Sequence, residues 1–331
     1  MRIWLLAVVV CFLCGPLHAR QTDSTAEAQN ASGEARADSG DLPGARDCFA
    51  KAIALKPDFG RAYMNLGIVS LQLHDTSAAE TNLDRAVPLL GKTPDAGYAL
   101  YVRAKIYSEQ SQPAKAAGTL ERAVTYAPKL AEAWSDLGEA RKQMGDDRAA
   151  LRDFGKAAAL TPKDAVAQYR LGAEYGELGE WPAAVSHLQE AYALDPKNQS
   201  VLNSLQAGLR RTGRIAEANK VKQELAALLQ ERDRASQNAL LAVKMNNEGA
   251  KLEKSGDLRA ASQKYGEALQ LDPAHVGIRV NYAVALLRLG EWTHGLNELH
   301  EALARDPGNN QIKAALHDAI AQAPPALVPK W

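Results

Sequence analysis

Beyond residue 19 stand six histidines, at positions 74, 187, 275, 294, 300 and 317, and their spacing decides whether the chain could hold a metal or move protons. His294 and Glu298 stand four apart, so on a helix they share a face and could bind a metal weakly. A solvated helix pair is the plainer expectation. His294 and His300 lie six apart, about 600° round a helix, and do not converge. There is no HExxH, no CxxC pair, no glycine-rich phosphate loop and no GxSxG turn. The expectation is therefore no catalysis, no metal and no cofactor. Cys11 and Cys14 fall in the N-terminal run, which leaves Cys48 alone beside Phe49, without a disulfide partner and expected as a small buried apolar residue.

Those residues sit in a chain whose punctuation repeats. Pro128, Pro162 and Pro196 are 34 residues apart, and so are Gly145, Gly179 and Gly213. A period of that length means stacked copies of a small unit, each burying its apolar face against the next. With units starting at Gly60, Gly97, Ala131, Ala165, Gln199, Ala242 and Val276, places 4, 7, 8 and 11 hold Trp134, Leu137, Gly138 and Arg141 in one copy. That spacing is one stripe of a helix. Ala150, Phe154 and Ala157, at places 20, 24 and 27, form a stripe on a second helix, and Pro162 at place 32 ends it. The glycine at place 15, as in Gly40, Gly145, Gly179, Gly213, Gly256 and Gly290, can take the left-handed conformation that closes the first helix. Asp41, Asp146 and Asp257 follow as caps of the second. Each unit is thus a helical hairpin.

Repeated in phase, Leu171, Gly172, Tyr175, Ala184, Leu188, Ala191 and Pro196, then Ala261, Tyr265, Ala268 and Pro273, resemble the tetratricopeptide repeat. An N-terminal unit near Ala26 supplies Ala45, Phe49, Ala52 and Pro57, so about eight units cover roughly residues 26–309. The resemblance implies an all-α fold, an α-solenoid wound as a right-handed superhelix. It also implies a concave side lined by the first helices, where the family holds extended peptides or partner helices. The chaperone-binding subtype of the family clamps a carboxylate with a Lys and Asn pair at places 5 and 9; here those places hold Asn30 and Glu34, Asn203 and Ala207, or Asn246 and Ala250, and no such clamp is expected.

Two breaks interrupt the period. Pro57 to Pro128 is 71 residues, two repeats plus three, with the excess at Pro88 to Pro94. Pro196 to Pro273 is 77, two repeats plus nine, and the excess continues the helical stripe of Ile215, Ala218, Val221, Leu225 and Leu228. A lengthened second helix is expected there. The resulting division is a signal peptide over 1–19, a linker over 20–25, sub-arrays over 26–235 and 236–309, a capping helix over 310–323 and a disordered tail over 324–331. The leader rests on the apolar run from Ile3 to Cys14 and on Ala19 before Arg20. Twelve apolar residues are short for a bilayer span, so export with cleavage is expected, and anchoring by an uncleaved leader or a lipid is the alternative.

Function is left to a surface. Without the leader's Arg2, 38 basic residues face 39 acidic ones, which offers nothing to nucleic acid or an anionic membrane. Places 2, 5, 9 and 12 lie about 130° from the packing stripe, so they stay free when places 4, 7, 8 and 11 are buried. The resemblance implies that this stripe lines the concave side, which puts Arg61, Met64, Ile68, Tyr98, Tyr101, Lys105, Glu139, Tyr169 and Asn203 in a groove for a protein or peptide partner. The alternative for the tyrosines is packing against neighbouring helices. The expected role is an exported, non-catalytic binding scaffold. Its rivals are a structural part of a cell-envelope assembly and a substrate-positioning accessory of a separate enzyme.

Overall fold

In a computed structural model, residues 25–331 are described; the expected leader, Cys11, Cys14 and the linker as far as residue 24 lie outside them. The described residues form sixteen α-helices and no strand, an all-α solenoid. The hairpins are α1 (Ala26–Asp38) with α2 (Leu42–Leu55), α3 (Gly60–Gln72) with α4 (Thr76–Leu90), and α5 (Pro94–Glu109) with α6 (Pro113–Tyr126). There follow α7 (Ala131–Gln143) with α8 (Asp147–Leu160), α9 (Ala165–Glu177) with α10 (Trp181–Leu194), and α11 (Gln199–Arg211) with the start of α12 (Ile215–Lys254). Next come α13 (Leu258–Leu271), the pair α14 (Val276–Arg288) and α15 (Trp292–Arg305), and the terminal α16 (Asn310–Gln322). Two compact units divide this series at Ala218 and Asn219, inside α12.

Local chemistry explains the hairpins. The six place-15 glycines have φ between 76° and 89°, the left-handed state that turns the chain out of the first helix. Asp41, Asp75, Asp146 and Asp257 each accept a hydrogen bond from the backbone N–H three residues on, at 3.0 to 3.2 Å, and so cap the second helix. Between the helices a small residue meets a large one. A Cβ on Gly138 would lie 2.8 Å from Phe154, and one on Gly249 would lie 2.8 Å from Tyr265. Phe154 and Tyr265 are correspondingly buried, at 2 % and 1 % exposure. Cys48 is buried and free.

Charge also ties successive hairpins. Arg141 on α7 reaches Asp153 of its own hairpin at 2.6 Å and Glu121 of the preceding one at 2.8 Å. Burial pushes the Asp153 carboxyl up and Arg141 opposes that push. Removing the arginine would leave a buried charge without its counterion.

Three terminal or junction features differ from expectation. Pro88 does not begin a connection; it lies inside α4, which runs on to Leu90 and is stopped by Gly91 at φ 67°. The lengthened helix does not end before the seventh unit but continues through its first helix, giving one element of 40 residues. Place 32 of the sixth unit is Gln230 instead of proline, and neither glycine nor proline occurs between Ile215 and Gly249, so nothing breaks the backbone ladder. The C-terminal tail is not disordered. Pro325–Leu327 form a 3-10 turn, Thr293 Oγ1 donates to the Leu327 carbonyl at 2.8 Å, and Trp331 Nε1 donates to Asn297 Oδ1 at 3.0 Å. The Trp331 ring stacks on His300 with centroids 4.5 Å apart.

Candidate functional site on the first-helix face

Within the first unit, the hairpin stacking brings neighbouring first helices into contact, α1 with α3, α3 with α5, and α9 with α11. That proximity uses many of their polar groups. Asn65 Nδ2 donates to Asn30 Oδ1 at 3.1 Å and to Glu34 Oε1 at 2.9 Å. Arg61 pairs with Asp95 at 2.9 Å, and Lys142 with Glu177 at 2.6 Å. Glu174, fully buried, meets Lys142 Nζ at 3.1 Å; burial pushes its carboxyl up against that pairing. In the second unit, Asn281 Nδ2 donates to Asn246 Oδ1 at 2.8 Å. Asn65 and Asn281, each at the sixth place of its unit, therefore bridge first helices, which is a structural use of a residue type that could also face a ligand.

The nine expected groove residues separate by environment. Met64 is buried in the core cluster that contains Leu100, so it is removed from the groove. Ile68 and Tyr101 are half-buried and pack on the same cluster. The free stripe of an isolated hairpin is partly covered once the next first helix lies beside it. Tyr98, 40 % exposed, and Lys105 remain open beside Tyr101, with the two tyrosine rings 5.9 Å apart and the Lys105 ammonium 5.8 Å from the Tyr101 ring centroid. Arg61, Glu139 and Asn203 are exposed. Arg61 is held by its ion pair, and Glu139 accepts from Gln143 at 3.3 Å.

Two of the clefts on this face adjoin α9. The first, of ≈ 300 Å³, lies where Tyr101 meets α7 and α9, and its polar walls are Glu132, Ser135, Asp136, Asp164 and Arg170. Burial, more than any other influence, raises the Asp136 carboxyl; Glu139 and Glu132 add repulsion while Arg170 and Lys105 oppose it. The Arg170 guanidinium donates to Ser135 Oγ and stands 3.8 Å from Asp136. Burial likewise pushes the Tyr101 phenol up to about 12, with Asp136 and Glu132 acting in the same direction. The cleft is thus acidic with one cation in its wall. The second cleft, of ≈ 320 Å³, joins Tyr169, Ala173 and Gly176 of α9 to Ala207 of α11 across Trp181. Its surface mixes these apolar groups with Glu177 and Ser204, and the Arg211 guanidinium stands 5.5 Å from the Trp181 ring centroid.

Tyr101 and Tyr169, both at place 5 of the expected free stripe, line these clefts, whereas Asp136, Arg170 and Trp181 lie outside that stripe. Trp181 occupies place 17 of its unit, at the start of a second helix, and Trp292 occupies the same place in the unit that begins at Val276; that recurrence was the available signal. His294 stands 3.6 Å from Glu298, which also pairs with Arg279. Among the described residues no group of three potential ligands could hold a metal ion.

Comparison with known proteins bears on the repeat and its fold. One tetratricopeptide repeat family model matches residues 30–97 and 101–165, and a second matches 252–319. No curated protein matches the sequence. Among solved structures, PilF of Pseudomonas aeruginosa is similar with a TM-score of 0.54 and 16 % identity, over 62 % of this chain and 90 % of its own. The C-terminal part of a repeat-containing protein from Cytophaga hutchinsonii gives 0.52 and 15 %, over 76 % of this chain and 98 % of its own. YrrB, described as having an unusual peptide-binding site, gives 0.46 and 21 %, over 56 % and 93 %.

Proposed function

Because this chain belongs to the tetratricopeptide repeat family, we propose that it is a binding scaffold, exported on its apolar leader, whose first-helix face in the first unit holds an extended segment of a protein partner. The observation that carries this reading is the open aromatic surface at Tyr98, beside Tyr101 and Lys105, on a face where neighbouring charges are largely consumed by pairing between helices. Tyrosine gives a large contact area with few rotatable bonds, and a partly exposed pair favours docking over solvation. The repeats occupy the chain from α1 to α15, and binding without chemistry of its own is the function they support. No helix among the described residues is long and apolar enough to cross a membrane.

The test is capture of partners from an exported fraction with the Tyr98→Ala, Lys105→Ala double variant. Capture falls while the melting profile stays unchanged, since neither side chain is part of the core. Unaltered capture removes this face from the function. Fractionation with N-terminal sequencing tests export separately: a soluble exported chain beginning near residue 20 supports it, and a membrane-bound chain retaining its leader supports anchoring instead.

A further inference from the structure

The second cleft of the first-helix face lies where α9, α10 and α11 meet. Gly172 and Gly176 both line it, yet they differ in purpose. A Cβ on Gly172 would lie 2.8 Å from Leu188 Cγ, so that glycine is needed for helix packing. At Gly176 the nearest atom to an added Cβ is Trp181 Cζ3 at 3.3 Å, the far end of a side chain. Gly176, Ala173 and Ala207 are the small residues of this recess of ≈ 320 Å³, which is walled by Tyr169 and Trp181 and edged by Glu177, whose charge Lys142 pairs at 2.6 Å. An aromatic or branched apolar side chain fits such a recess and would bury its area there.

The neighbouring cleft specifies what accompanies that side chain. Glu132, Asp136 and Asp164 face Arg170 in its walls, and Asp164 is the N-cap of α9, accepting from Val166 N at 2.8 Å. Glu139 adds to the negative charge felt at Asp136 while Lys105 subtracts from it. The balance is acidic, and a cationic guest complements it. The first cleft draws on Val166, Ala167 and Arg170 of α9 and the second on Tyr169, Gly172, Ala173, Gly176 and Glu177, so the two are offset by about one to two turns along α9, on the order of 10 Å or about three to four residues of extended chain.

We infer that the occupant of the first-helix face is an extended peptide segment carrying a large apolar residue, seated between Tyr169 and Trp181, and an arginine or lysine three to four positions away, seated against Glu132 and Asp136. This rests on the scaffold reading and names the chemistry of its partner.

Fluorescence anisotropy on the full exported chain tests it. The probes are labelled decapeptides in a glycine and serine background, with one phenylalanine and one arginine at separations of three or four and in both orders. At least one such peptide should bind, and replacing its phenylalanine by alanine or its arginine by glutamate should weaken binding tenfold or more. Ala207→Leu, on an exposed position, should fill the recess and give the same loss with an unchanged melting profile. Glu132→Lys should lower affinity for the arginine peptide and raise it for the glutamate peptide. Equal binding of peptides lacking either feature, or indifference to Ala207→Leu, overturns the inference. If these decapeptides fail while other members of an immobilised peptide array bind and lose binding on Tyr98→Ala, the inference falls and the scaffold stands. If no peptide binds, both fall.

Discussion

Ser111 and His74 occupy the position that glycine takes in six other hairpins, and both are held at positive φ, 58° and 62°. The left-handed state brings a Cβ against the neighbouring carbonyl at a cost of about 1–2 kcal/mol, part of which glycine returns through its greater freedom in the unfolded chain. Ser111→Gly should therefore raise the unfolding free energy by about 0.5–1 kcal/mol in urea titrations, and a loss of stability would mean the serine hydroxyl contributes more than its backbone costs. Tyr265 carries a second residue-level expectation. It is 1 % exposed, its hydroxyl donates to Glu253 Oε2 at 2.9 Å, and burial pushes its pKa up to about 12. The folded chain thus holds this proton more tightly than the unfolded chain, where the ordinary value of 10.0 applies. Its contribution is complete below pH 10 and is lost as pH rises from 10 towards about 12. Tyr265→Phe should flatten the fall in stability over that window; an unchanged pH profile would show that another group governs it. At this scale the glycine turns and aspartate caps were legible because each depends on one residue and its nearest backbone. Met64 was not, because its environment is set by a helix more than thirty residues away.

Hairpins are elements made by matching a hole to a side chain. Phe154 lies over Gly138 and packs with Ala150, Ala158, Ala167 and Leu171, a cluster that joins α7, α8 and α9. Phe154→Ala should cost about 3–5 kcal/mol, because the rigid hairpin cannot collapse fully into the space left. A change below about 1 kcal/mol would deny it that position. The long helix α12 owes its continuity to what its sequence omits. The period correctly indicated extra helical residues after Ile215, but the counting of units assumed a break before Ala242, where neither proline nor glycine supplies one. Gln230→Pro would restore the punctuation at place 32. In an uninterrupted helix it should cost about 3 kcal/mol or more and reduce the helical circular dichroism signal. An effect near zero would show that the backbone is already broken at that point.

The molecule as a whole is a row of near-copies, and this is why its fold could be read from spacing while its site could be read only in part. Packing within a hairpin repeats every 34 residues and leaves a periodic trace. The clefts depend instead on what is peculiar to one repeat, such as Gly176 with Trp181 or Asp136 with Arg170, and a departure from the period has no period of its own. The same near-neighbour construction limits how far damage travels. Stability in such arrays is approximately a sum of unit terms and contacts between adjacent units, so a weakened hairpin opens its own vicinity first. In Phe154→Ala, native-state hydrogen exchange should accelerate in α7 to α10, with amides of α13 to α15, which belong to the second compact unit, keeping their protection. Uniform acceleration across both units would show instead that the chain opens in a single cooperative step, and that the division inside α12 has no energetic counterpart.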